Sequence, residues 1–249
     1  MGVKGILGVC FFATIVVAML IVRPHGQVAV AYRQAQFADR KVVFALLDLS
    51  VEDWRFELRH DPAHPKSVEV WRQELGADVV WNAAYFKEDL NPAGFFKVTG
   101  GQSVVPWPTF EQQKDEHDYT FMITIHPNDL ELRYLPPNPQ SEPHDATLLS
   151  FPTLLVNGAA NVKEDSELHA ERTVVAEDAA GHDYLIVTKK GSLSLYELAK
   201  WLDEQPENFV IAGNLDGGPS TGLSLENEKH DLEIPSGAVP SVIVGYRSE

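Results

Sequence analysis

Short apolar runs, each closed by turn-forming residues, outnumber helical stretches in this chain and do not alternate with them regularly. That pattern disfavours a doubly wound parallel sheet, which needs a helix after each strand. It points to an α+β class: a single mixed-sheet domain with few helices. K-V-V-F-A-L-L-D-L (41–49), W-R-F-E-L-R (54–59), A-D-V-V-W-N (77–82) and D-Y-T-F-M-I-T-I-H (118–126) read as strands. T-L-L-S-F-P-T-L-L-V-N-G (147–158) runs apolar into an Asn-Gly turn, after a proline-rich surface loop at 136–144. E-R-T-V-V-A (171–176) and D-Y-L-I-V-T (183–188) read as a hairpin with Gly181 at its turn. F-V-I-A-G (209–213) and S-V-I-V-G-Y (241–246) complete the strand-like runs.

Two helices stand out. In S-V-E-V-W-R-Q-E-L (67–75), Val68, Trp71 and Leu75 share a face and Gly76 is a stop. In L-S-L-Y-E-L-A-K-W-L (193–202), Ser194 and Glu197 form a capping-box pattern, and Leu195, Leu198 and Leu202 share a face.

The N-terminus is a separate element. Residues 5–22 are an uninterrupted apolar run between Lys4 and Arg23, long enough to cross a bilayer and longer than a usual signal-peptide core. We expect an anchor or signal segment with a short linker over 1–31 and the folded domain over 32–249. Cys10, the only cysteine, lies inside that run, so the exported part holds no disulfide and no thiol nucleophile. The expected location is extracytoplasmic, periplasmic or at the cell surface, with the membrane engaged through 5–22.

With 36 acidic against 20 basic residues, the net charge of −16 argues against nucleic acid as a partner and requires any anionic ligand to have its own cationic pocket. The nine histidines show no metal-ligand spacing.

Four polar clusters sit at the ends of strand-like runs: N-A-A-Y-F (82–86), V-N-G (156–158), E-R-T (171–173) and N-L-D-G-G-P-S-T (214–221). Singly, each has an ordinary explanation. Asp216-Gly217-Gly218 suits a tight turn, Asn82 an Asx-turn, Asn157-Gly158 a hairpin turn, and Arg172 a solvated strand position. Their order and the helix between them resemble the phosphodiester glycosidase family. The likeness runs from about residue 41 to V-P-S-V-I-V (239–244), and N-L-D-G-G is its most specific part. Ala83, Ala84, Ala176 and Pro219 stand where the family pattern has glycine.

The resemblance implies an exported hydrolase that cleaves the glycosidic bond of a sugar 1-phosphodiester, similar to N-acetylglucosamine 1-phosphodiesters. Phosphate is already a good leaving group, so strong acid assistance is less necessary than in ordinary glycoside hydrolysis. Arg172 suits the phosphate through its planar fork, and Asp216 suits the work of base or nucleophile. Gly217 and Gly218 open backbone N–H groups to the substrate, and Ser220 and Thr221 add donors. Asn82, Tyr85, Asn157, Thr173 and Asn214 complete the expected substrate contacts. No cofactor is certain; the Asp-rich motif admits a divalent cation such as calcium. Two other readings stand beside this one: a non-catalytic module binding envelope polysaccharide, and a metal-assisted phosphoesterase.

Overall fold

The computed structural model describes residues 30–107, 119–135, 142–143, 145–226 and 231–248. The run 5–22, with the anchor or signal expected there, and nearly all of the proline-rich loop lie outside those residues. Among the described residues no helix is long and apolar enough to cross a membrane.

Three antiparallel sheets form one domain. The largest has the order β1 (Val30–Phe37), β2 (Arg40–Asp48), β13 (Asp183–Lys190), β12 (Thr173–Asp178), β14 (Phe209–Asn214), β10 (Thr153–Val156), β11 (Ala159–Ala160). A second runs β16 (Leu232–Ile234), β15 (Leu223–Leu225), β4 (Val79–Asn82), β17 (Ser241–Arg247), β3 (Trp54–His60). The third runs β6 (Ser103–Val105), β5 (Phe96–Lys97), β9 (Ala146–Ser150), β7 (Phe121–His126), β8 (Asp129–Tyr134). Each described pairing is antiparallel, so the helices do not serve as crossovers between parallel neighbours. Val30 of β1 pairs with Leu47, so residues that the sequence reads as linker already belong to a strand.

Alternation along the strands decides the layers. Val79 and Trp81 of β4 face a central core with Phe56, Ile123, Val175 and Ile243, drawn from all three sheets. Val80 of the same strand, with Val242 and Val244, turns outward against Val68 and Trp71 of α1 (Val68–Leu75). Ser67 caps this helix by accepting from the Val70 N–H, and Gly76, at φ 60°, closes it.

A second helix, α2 (Leu195–Asp203), covers the outer face of the large sheet. It starts on the capping box that Ser194 and Glu197 form reciprocally. Leu198, Trp201 and Leu202 pack on Phe44, Val174 and Ile186, and the Trp201 ring stacks on Phe44 at 4.0 Å. Each such side chain contributes about 1.5–3 kcal/mol of burial. The central strands β12 and β14 are thereby apolar on both faces, and the polar groups considered below leave them at their ends. β14 and β4 end together, where the Asp216 N–H meets the Ala83 carbonyl at 3.1 Å.

Candidate active site

N-L-D-G-G leaves the C-terminal end of β14 and is held by main chain from four directions. Asn214 N donates to Pro152 O (3.1 Å), Leu215 N to Thr173 O (2.8 Å), Asp216 N to Ala83 O (3.1 Å) and Gly218 N to Glu171 O (2.8 Å). Gly218 adopts φ 59°, a left-handed conformation that costs glycine nothing. At Gly217 the need is space, since a Cβ would stand 2.8 Å from the Glu171 carbonyl and 3.5 Å from Arg172 Nη1. The guanidinium of Arg172 therefore lies directly against the glycine backbone.

Arg172 is 8% exposed. Its Nε and Nη2 donate to the carbonyls of Leu193 (3.3 Å) and Leu168 (2.9 Å), and its backbone N–H donates to Thr188 Oγ1. Among the described residues no carboxylate pairs with it. Burial pulls its pKa below the ordinary value, opposed by the neighbouring Tyr85 hydroxyl. A buried cation with neutral partners is costly until an anion joins it.

Asp216 is half-buried. Burial raises its pKa, while hydrogen bonds from the Ser220 side chain and the Gly217 N–H (2.9 Å to Oδ1) pull the other way. The carboxylate is thus held ready to accept a proton, with two donors fixing its direction. Tyr85, also half-buried, feels the charges of both Asp216 and Arg172.

Asn82 and Arg172 both meet the N-L-D-G-G turn, at the Asp216 carbonyl and at Gly217, but several residues do other work than the sequence reading gave them. Asn82, 1% exposed, accepts from Thr173 Oγ1 (2.7 Å) and the Gly222 N–H (3.1 Å) and donates to the Asp216 carbonyl (2.7 Å). It and Thr173, which is fully buried, are spent on each other and brace the loop from behind instead of contacting substrate. Asn214 is fully buried and Thr221 is 1% exposed, so neither side chain reaches solvent. Asn157 is a correction: it is exposed in the β10–β11 turn at φ 51°, beside Val210 at the opposite end of β14, about 13 Å of strand from Asn214. Its Asn-Gly pair is a turn and nothing more. Ala83 and Ala84 pack into the central core, so their methyls do not narrow the pocket. Ala176 lies under α2, and Pro219 is exposed, its carbonyl accepting from Gly237.

The sequence reading missed Phe151, whose ring stacks on Tyr85 at 4.5 Å, and Ser150, whose hydroxyl donates to the Asn214 carbonyl at 2.7 Å. Both lie in an apolar run that reads as ordinary strand. Among the described residues no group of three or more His, Cys, Asp or Glu side chains could hold a metal ion. A groove of about 570 Å³ elsewhere, lined by Arg72, Asp78, Glu226 and Arg247, has these four charges paired among themselves.

A buried cation, a half-buried carboxylate and open glycine backbone, carried at the ends of antiparallel strands, are the equipment of a glycosidase-like hydrolase. The chain belongs to the phosphodiester glycosidase family, whose model matches residues 75–244. Among solved structures, the fold is similar to the catalytic domain of zebrafish N-acetylglucosamine-1-phosphodiester alpha-N-acetylglucosaminidase, there auto-inhibited by its pro-peptide. That match has a TM-score of 0.62 and 16% identity, covering 91% of this chain and 85% of the zebrafish chain. A hypothetical protein from Synechocystis aligns with a TM-score of 0.54 and 13% identity, over 89% of this chain and 62% of that one. No curated protein matches the sequence significantly.

Proposed function

We propose that this protein is an exported hydrolase that cleaves the C1–O bond of a sugar 1-phosphodiester. One observation carries the reading: Arg172, a buried guanidinium with no carboxylate partner among the described residues, faces the glycine backbone of the motif that also bears Asp216. Such a cation is stabilised by a bound phosphodiester, whose two free oxygens match its fork. Asp216 activates a water for attack at C1, aided by burial that favours its protonated form. Family membership and the activity in the zebrafish relative's name support the same substrate class.

The extracytoplasmic site of action and the hold on the membrane are proposed from the apolar run at 5–22. Fractionation of the host tests them: recovery of the full-length, unprocessed chain in the cytosolic fraction rejects both. Among the described residues no cluster of three or more His, Cys, Asp or Glu side chains is available to a divalent cation.

The activity test incubates the full chain with sugar 1-phosphodiesters in water enriched in oxygen-18, with and without chelator. Label in the released sugar, insensitive to chelator, supports the reading. Label in the phosphate indicates P–O cleavage and a phosphoesterase. Binding of envelope polysaccharide without turnover indicates a non-catalytic module.

A further inference from the structure

The hydroxyl of Tyr85 feels the charges of both Asp216 and Arg172, and it accepts a hydrogen bond from an amide that has no freedom to turn. Asn214 Nδ2 lies 2.6 Å from the Leu215 carbonyl, 2.5 Å from the Tyr85 oxygen and 3.4 Å from the Phe151 carbonyl. Only an N–H can face those carbonyls, so the amide orientation is fixed and its second hydrogen goes to Tyr85. The phenol oxygen is therefore an acceptor toward the protein interior, and its own hydrogen is left to point elsewhere. Phe151 holds the ring flat by stacking at 4.5 Å and 25°, and Tyr119 meets Phe151 edge-on at 5.0 Å.

We infer that Tyr85 is a catalytic hydrogen-bond donor to the departing phosphate oxygen, with Asn214 and Phe151 as its positioning residues. The inference rests on the sugar-phosphodiester reading and adds the atom that meets the leaving group. Burial and the Asp216 charge push the Tyr85 hydroxyl up to about 12, so it keeps its proton at any working pH. In the step, the C1–O bond breaks and its electron pair stays on the oxygen of the phosphomonoester. Water oxygen bonds to C1 and yields a proton to Asp216, while Tyr85 donates a hydrogen bond to the growing charge and transfers nothing. Arg172, against the Gly217 backbone, holds the charge of the phosphate.

The test compares wild type with Tyr85→Phe, which preserves the stack on Phe151, on two probes: the methyl phosphodiester of N-acetylglucosamine 1-phosphate and UDP-N-acetylglucosamine. Loss of one such donor is expected to lower kcat about a hundredfold on the methyl diester with little change in KM. The loss should be smaller on the UDP probe, whose departing group bears its charge more easily. A purely structural tyrosine would lower both probes alike. If wild type turns over neither probe, the proposed function fails and takes this inference with it. If wild type is active and folded Tyr85→Phe is within about threefold of it on both probes, this inference alone is overturned. Should Tyr85→Phe not fold, 3-fluorotyrosine at position 85 keeps the ring and hydroxyl but makes a stronger donor. The ratio of methyl-diester to UDP turnover should then rise, and an unchanged ratio overturns the proposal.

Discussion

Asn82 donates from Nδ2 to the main-chain carbonyl of Asp216 at 2.7 Å, across 134 residues of chain. The carboxylate of Asp216 is thus aimed by a side chain that never touches it. Because the same amide also accepts from Thr173 and Gly222, its removal strands three buried partners at once. We expect Asn82→Ala to cost about 2–4 kcal/mol in denaturant unfolding. Its turnover should fall even at temperatures where the protein remains folded. Unchanged stability would mean the network is not what holds the loop.

Asp216→Asn retains the acceptor for the Gly217 N–H and removes the buried charge. Turnover should drop at least about a hundredfold with KM little altered. The melting temperature at neutral pH should hold or rise, because burial disfavours the carboxylate. Activity of the wild type should appear as pH rises through the raised pKa of Asp216. Ser220→Ala deletes a donor that favours the ionised form, so the acid limb of its kcat/KM profile should move to higher pH. A limb that stays put would release Ser220 from that role.

Arg172→Lys keeps the charge but loses the planar fork and the geometry of its bonds to Leu168 and Leu193. KM for a phosphodiester should rise roughly tenfold or more, along with slower turnover. A neutral glycoside of the same sugar should be far less affected by the change. Equal losses on charged and neutral ligands would speak against phosphate recognition.

Away from the site, Asp183 is 7% exposed and crowded by Asp129 and Glu177; burial foremost pushes its pKa up to about 8. A carboxyl whose folded pKa is raised contributes stability below its unfolded pKa and loses it as pH rises through the folded value. The affected window is therefore pH about 4 to about 8. Asp183→Asn keeps an acceptor for the Leu130 N–H, so at pH 8.5 it should melt higher than wild type by at least about 5 °C. The gain should vanish near pH 4. A gain independent of pH would show that charge is not the cause.

The helices were legible because their signals are local: Ser67 and Gly76 bracket α1, and Ser194 with Glu197 opens α2 as the capping box requires. The hairpin around Gly181 was legible for the same reason. β5, with two residues, and β15 and β16, with three each, are too short to show a period. At the site, Arg172 and Asp216 were legible as candidates from residue type alone, a cationic fork and a carboxylate. The bracing of Asn82 by Gly222 did not, since nothing near either residue encodes a contact 140 positions away. Asn157 erred in the opposite way: a strong local turn signal was given a distant role. Phe151 was passed over because an aromatic in an apolar run looks like core until its partner is known.

The four bonds that fix N-L-D-G-G all end on carbonyl oxygens, at Pro152, Thr173, Ala83 and Glu171. Every residue type offers that atom, so these four bonds do not depend on the side chains at Pro152, Ala83 and Glu171; at Thr173 the hydroxyl is also engaged, by Asn82. Side chains at the flanks, such as the methyls of Ala83 and Ala84, can then differ without disturbing the turn. For an engineer, the same fact separates two tasks. The surroundings of the turn can be recut by ordinary mutagenesis, whereas at Gly217 a side chain would collide with the Glu171 carbonyl and at Gly218 it would have to adopt a left-handed backbone.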